Sequence, residues 1–210
     1  MLLRVRPEAV TIDAFGTLVT LADPMDALVE ALAARGVERT REQVAAGVRA
    51  EAAYYVPRSH EGRDEATLAL LRRECARVFL AGADADALDP EEFAPAFVGA
   101  LRFVPVAGAV EACRTLGDRG VPAAVVSNWD IGLEQHVRGL GLSLPVVTSA
   151  EAGAPKPDPS IFLLALERLG GIAPERAVHV GDSPADEEGA RAAGMAFRPA
   201  PLATAVEELL

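Results

Sequence analysis

Arg176-Ala-Val-His-Val-Gly-Asp-Ser-Pro-Ala-Asp186 is the stretch on which the fold turns. Its first five residues are dominantly apolar, rich in β-branched side chains and too short for a typical helix. They also lack the alternation of a half-exposed antiparallel strand, so they read as a buried parallel strand. Ser183-Pro184 then supplies a cap and a proline for the first turn of a helix, which Gly194 closes. One strand, one polar turn and one helix make a unit that the rest of the chain repeats.

Comparable runs occur at Ala9–Ile12, Pro122–Val126 and Leu144–Thr148, with a weaker one at Met195–Arg198. Between them lie helical patterns: Val110–Arg119 before Gly120, and a segment opened by Asp158-Pro159 and ended by Gly170-Gly171. From residue 105 onward, strands and amphipathic helices alternate. That alternation predicts an α/β fold, a doubly wound parallel sheet of Rossmann-like type.

Residues 20–102 read differently, as helices without a convincing strand. Asp23-Pro24 starts one that Gly36 closes, and Thr40 with Gln43 forms a capping box for a second reaching about Tyr54. A third runs from Asp64 to Ala81, and Asp89-Pro90 begins a shorter one interrupted at Pro95. The expected organisation is an α/β core of residues 1–19 and 103–210 with an all-helical insertion at 20–102.

The 210 residues carry a formal net charge of -11. This argues against nucleic acid or an anionic membrane surface as partner, because both demand basic surface. Runs such as Glu91-Glu92 and Glu187-Glu188 read as solvated faces. No apolar run approaches the roughly 20 residues of a membrane span, and Met1–Arg6 shows no signal-peptide hydrophobic region. Cys75 and Cys113 stand alone within helical patterns and read as small core hydrophobes. A cytoplasmic location is expected. The oligomeric state is not written in the chain.

Four polar signals fall just past predicted strand ends: Asp13, Ser127-Asn128, Lys156 and Asp182. In an open parallel sheet the ligand crevice lies outside those ends. Lys156 is the single lysine beside nineteen arginines, as if its place requires a compact ammonium and not a planar guanidinium. Two carboxylates with a backbone carbonyl suit Mg²⁺. His60, His136 and His179 are scattered, so zinc is not expected. An Asp carboxylate can attack phosphorus, the Ser127 hydroxyl and the next N–H can hold the transferring oxygens, and Lys156 can neutralise their charge.

At these residues the chain resembles the haloacid dehalogenase (HAD) superfamily of hydrolases. The family's motifs appear in order as Thr11-Ile-Asp-Ala-Phe-Gly-Thr-Leu18, Val125-Val-Ser-Asn128, Pro155-Lys-Pro-Asp-Pro159 and Val180-Gly-Asp-Ser-Pro-Ala-Asp186. The helical insertion matches the family's cap. The resemblance implies Asp13 as nucleophile and Ser127 and Asn128 as oxyanion ligands. It also implies Lys156 as the charge-stabilising residue, and Asp13, Asp182 and the Phe15 backbone carbonyl as Mg²⁺ ligands. Asp186 would orient Lys156 or a metal water, or simply be a helix first-turn carboxylate. Arg49 is a candidate substrate contact, with an ordinary surface position as its alternative. Trp129 reads as a partly exposed residue at the site's edge, or else as core. Arg49, Tyr54, Tyr55 and Arg58 form the most suggestive cluster of the cap.

The pattern breaks at Phe15, where phosphatase members carry an Asp that protonates the leaving group. Losing a positioned acid typically costs ~10²–10⁴-fold. The implied activity is therefore a phosphatase for a small phosphorylated metabolite, a phosphate ester or acyl phosphate, restricted to leaving groups that depart unprotonated. The 2-haloacid dehalogenase branch has an aromatic residue at that place, within a similar run. It uses no metal, however, and has a small polar residue where this chain has Asp182. A third reading is a non-catalytic phosphate-binding homologue.

Overall fold

The computed structural model describes residues 6–210, so the expectation for Met1–Arg6 concerns residues largely outside those described. The described residues divide into two compact units, residues 6–20 with 104–210, and residues 21–103. In chain order the elements begin with β1 (Ala9–Ile12), β2 (Val19–Leu21), α1 (Met25–Ala33) and α2 (Arg41–Tyr55). Then come α3 (Glu65–Gly82), α4 (Pro90–Ala100), β3 (Phe103–Pro105), α5 (Ala109–Asp118) and β4 (Ala123–Ser127). Next are α6 (Leu133–Gly139), β5 (Val146–Thr148), α7 (Ser149–Ala152) and α8 (Ser160–Arg168). The chain closes with β6 (Ala177–Gly181), α9 (Pro184–Ala192), β7 (Ala196–Pro199) and α10 (Leu202–Leu209).

The α/β unit is built on a five-stranded sheet of order β5-β4-β1-β6-β7, parallel throughout. β1, β4 and β6 are buried along their whole length, which is why their sequences run apolar without alternation. The chain winds outward from β1 to β4 and β5, then returns to β1's other flank for β6 and β7. That reversal beside β1 is the topological switch point, where such sheets open a crevice. Ile161, Phe162, Ala165 and Leu166 of α8 and Ala190 of α9 pack with Ala9, Ala124 and Val126. Each large apolar side chain so buried contributes roughly 1.5–3 kcal/mol.

The helical unit has its own core. Phe79 stacks on Phe93 with centroids 5.8 Å apart and lies 5.0 Å from Phe97. α2 and α3 cross closely because both contribute glycine: a Cβ on Gly47 would lie 2.6 Å from the Phe79 carbonyl oxygen. The capping box of Thr40 and Gln43 forms as its spacing predicts. Among the described residues no helix is long and apolar enough to cross a membrane.

Three local expectations are corrected. β2 and β3, which flank the helical insertion and are not among the expected strands, pair as a two-stranded sheet; three residues each are too few to show a period. α4 runs unbroken through Pro95. The proline removes one helical N–H, while buried Phe93 and Phe97 on either side anchor the turn. α8 starts one residue later than Asp158-Pro159 implies, with Pro159 at the cap position and Asp158 Oδ1 accepting from the Ser160 N–H at 2.9 Å.

Glu51 of α2 is buried in the helical unit. Burial pushes its carboxyl above the usual range, opposed by a hydrogen bond from the Cys75 thiol. A carboxyl with a raised folded pKa costs no stability below its unfolded value of ~4.3 and costs progressively more as pH rises through the folded one. Glu51→Gln keeps an acceptor for the thiol without the charge. It is expected to raise Tm by about 1–4 °C at pH 8, with the gain vanishing towards pH 4, as read by thermal melts across that range.

Candidate active site

β1 delivers Asp13, whose N–H donates to the Val180 carbonyl at 2.9 Å. The following loop is tight: the Ala14 carbonyl accepts from both Leu18 and Val19 N–H groups at 2.8 Å. Gly16 sits at φ 86°, a conformation that side chains resist. A Cβ there would also fall 2.7 Å from Asp182 Cγ. The loop thus has to be glycine for Asp182, at the end of β6, to lie against it.

Lys156 is buried, and its ammonium has three acceptors for three protons: Asp13 Oδ1 and Asp186 Oδ1 at 2.5 Å, and the Val126 carbonyl at 3.1 Å. Ser127 Oγ donates to Asp13 Oδ1 at 3.1 Å. The Lys156 backbone is clamped by Asn128. The Asn128 amide donates to the Lys156 carbonyl at 3.1 Å, and its Oδ1 accepts the Lys156 N–H at 2.6 Å. The Asn128 side chain is thus spent on holding the lysine, while its backbone N–H is the group expected to meet an oxyanion.

Asp186 completes the capping box of α9 with Ser183 as cap, its Oδ2 accepting from the Ser183 N–H at 3.0 Å and hydroxyl at 2.5 Å. Its Oδ1 takes both Lys156 and His179 Nε2, the latter at 2.9 Å. Carboxylate oxygens of Asp13, Asp182 and Asp186 can converge within 4.8 Å, as a metal site requires. A carboxylate has about four lone-pair positions, and those of Asp186 are all occupied. Asp13 and Asp182 are the pair left to a cation.

A family profile for haloacid dehalogenase-like hydrolases matches residues 7–194. The chain belongs to that family. This HAD hydrolase is 40% identical over 135 residues to haloacid dehalogenase-like hydrolase domain-containing protein 3 of Bos taurus, covering 60% of this chain and 53% of the relative. It thus spans about half the length of that relative. It is 35% identical to a phosphoglycolate phosphatase of Rhodospirillum rubrum over 90% of this chain and 77% of the other. Among solved structures, a HAD phosphatase of Thermococcus onnurineus aligns over 90% of this chain and 84% of its own, at TM-score 0.54 and 25% identity.

The HAD site has uneven electrostatics. Burial pulls the Lys156 ammonium down, but Asp13 and Asp186 outweigh it and hold the pKa above the ordinary value. Burial raises Asp13 above the carboxylate range despite Lys156. Asp186 feels burial too, yet the His179 hydrogen bond and the Lys156 charge keep it well below that range. Asp182 is raised by desolvation and by the charge of Asp186.

Phe15 is 51% exposed, its ring 6.5 Å from that of Trp129. Trp129 itself is buried, which fits its core alternative and not the partly exposed edge; its backbone N–H donates to Ser149 Oγ at 3.1 Å. Arg49 lies exposed on α2, in the helical unit. There the Arg58 guanidinium stands 4.4 Å over the Tyr54 ring.

His179 lies inside β6 and not at its end, so strand-end position does not single it out. The signal was present: Thr11 in Ala-Val-Thr-Ile and His179 in Ala-Val-His-Val are polar residues inside fully buried strands. They face one another in register.

Proposed function

We propose that the protein is a Mg²⁺-dependent phosphatase for small phosphorylated metabolites, working through an aspartyl-phosphate on Asp13, with the helical unit as its cap. The observation carrying this reading is the placement of Asp13 and Asp182 at one sheet edge beside the buried ammonium of Lys156. The phosphoglycolate phosphatase named among the relatives supports the substrate class. Two carboxylates and the Phe15 backbone carbonyl are hard oxygen donors, and among the described residues no histidine or cysteine joins the carboxylate cluster, which fits Mg²⁺. When bound, the cation supplies charge stabilisation at a phosphoryl oxygen.

In the chemical step an Asp13 oxygen forms a bond to phosphorus as the bond to the leaving oxygen breaks. Water then cleaves the acyl phosphate and releases inorganic phosphate. Ser127 Oγ and the Asn128 N–H are assigned to the transferring oxygens, Lys156 to their accumulating charge, and Asp186 to holding Lys156. Arg49 and Trp129 are assigned to the substrate side. Phe15 has no proton to give, so the leaving group must depart as an anion.

The test is phosphate release from aryl, acyl and alkyl phosphates with and without Mg²⁺. Aryl and acyl phosphates are expected to react and EDTA to stop the reaction; no release from any of them overturns the proposal. Phe15→Asp is expected to speed alkyl phosphates by at least about tenfold, within the ~10²–10⁴-fold scope of a positioned acid, and aryl phosphates far less. Phe15 also favours a second reading, a 2-haloacid dehalogenase, which needs no leaving-group acid. Asp182 opposes it, since that carboxylate would repel an anionic haloacid. Metal-independent halide release from 2-chloropropionate decides for it.

A further inference from the structure

We infer that His179 is a positioning residue for the phosphoryl-transfer site, aiming the Lys156 ammonium at Asp13 by fixing the carboxylate of Asp186. The assignment rests on the phosphatase reading for its kinetics and on hydrogen-bond geometry for its structure. His179 is fully buried at the middle of β6. Nε2 lies 2.9 Å from Asp186 Oδ1 and Nδ1 lies 2.9 Å from Thr11 Oγ1. The edge-on ring of Phe162, 4.9 Å away, holds the imidazole plane.

The direction of every hydrogen in this chain of contacts follows from chemistry. An ionised carboxylate only accepts, so Nε2 carries the proton. Burial disfavours the imidazolium, so Nδ1 is bare and accepts from the Thr11 hydroxyl. Asp186 Oδ1 then has one lone pair for His179 and one for Lys156, while Ser183 occupies Oδ2. With all its acceptor sites filled, Asp186 can neither rotate nor turn an oxygen towards a cation beside Asp13. Lys156 is left a single line to the nucleophile. Without the imidazole N–H, Asp186 gains a spare lone pair, and the ammonium can be drawn off Asp13.

Loss of an outer partner of this kind typically costs ~10–100-fold. His179→Leu is expected to lower kcat and kcat/KM together by that factor, with KM within about twofold, the mark of an interaction made only in the transition state. His179→Gln, whose amide can donate from near the Nε2 position, is expected to recover activity to within about threefold of the wild type. Equal losses in both variants, or none in His179→Leu, overturn the assignment.

A readout on the wild type needs neither a substrate nor a folded variant. ¹⁵N–¹H correlation spectra of the imidazoles are expected to show a slowly exchanging Nε2–H on His179, assigned by its disappearance in His179→Gln or, should that variant not fold, through the Phe162 ring protons. An Nδ1–H tautomer or an imidazolium at neutral pH overturns the proposal. If the wild type turns over no phosphate ester, the functional reading fails alone and the tautomer still decides for or against His179.

Discussion

Asp13→Asn is expected to lower kcat on any phosphate substrate by about 10⁴-fold or more, the scale on which enzymes lose turnover when a nucleophile is removed. The fold should survive. Asn retains an oxygen to accept from Ser127 Oγ, and Lys156 keeps Asp186 as its ion-pair partner. The substitution also relieves one of two buried carboxylates that compete for a single ammonium. Tm is therefore expected to remain within a few degrees of wild type or to rise. The pairing of lost turnover with retained stability is what separates a nucleophile from a structural residue. Steady-state phosphate release beside thermal melts measures both. Turnover within tenfold of wild type would remove Asp13 from its assigned role, and with it the aspartyl-phosphate.

Much of this was legible in the chain, and the reasons are physical. The buried strands betrayed themselves because strands covered on both faces cannot alternate, as β1, β4 and β6 show. Asp13, Ser127, Lys156 and Asp182 were legible as a group because parallel strands put their ends on one edge, so position along the chain predicts position in space. Pairing across the sheet is not legible in the chain. His179 looks isolated there, since its partners stand 168 residues upstream and 7 downstream. Only the register of β1 against β6 shows that it completes a buried network. The use of the Asn128 side chain is not legible for a related reason: whether its amide faces substrate or the Lys156 backbone depends on the path of the 149–156 segment. β2 and β3 escaped because three residues carry no period.

Lys156 is where chemistry and stability meet most strongly, and two substitutions are expected to pull them apart. In Lys156→Met, Asp13 and Asp186 keep their burial and lose their shared cation. Breaking a buried ion pair from one side costs ~3–5 kcal/mol, which for a chain of this length lowers Tm by about 10 °C. The loss should depend on pH. In the wild type Lys156 is shifted up, so its contribution is complete below its unfolded pKa of ~10.4. Asp186 is shifted down, so its contribution is complete above ~3.9. The pair together therefore stabilises the fold across roughly pH 4–10. Without the ammonium, mutual repulsion and burial raise the folded pKa of the carboxyls, and the variant becomes less stable as pH rises from ~4. The gap between wild type and Lys156→Met, measured in EDTA, should be small at pH 4 and widen towards pH 8. A gap independent of pH would mean that packing, not charge, dominates. Lys156→Arg keeps the charge and changes its shape. The three acceptors around Nζ surround a point, whereas a guanidinium presents its donors in one wide plane. Turnover should fall by about 10²–10³-fold, comparable to losing one donor to a developing oxyanion, with a stability loss smaller than that of Lys156→Met. Wild-type kcat in Lys156→Arg would show that the site needs only a positive charge, and the single lysine among nineteen arginines would lose its explanation.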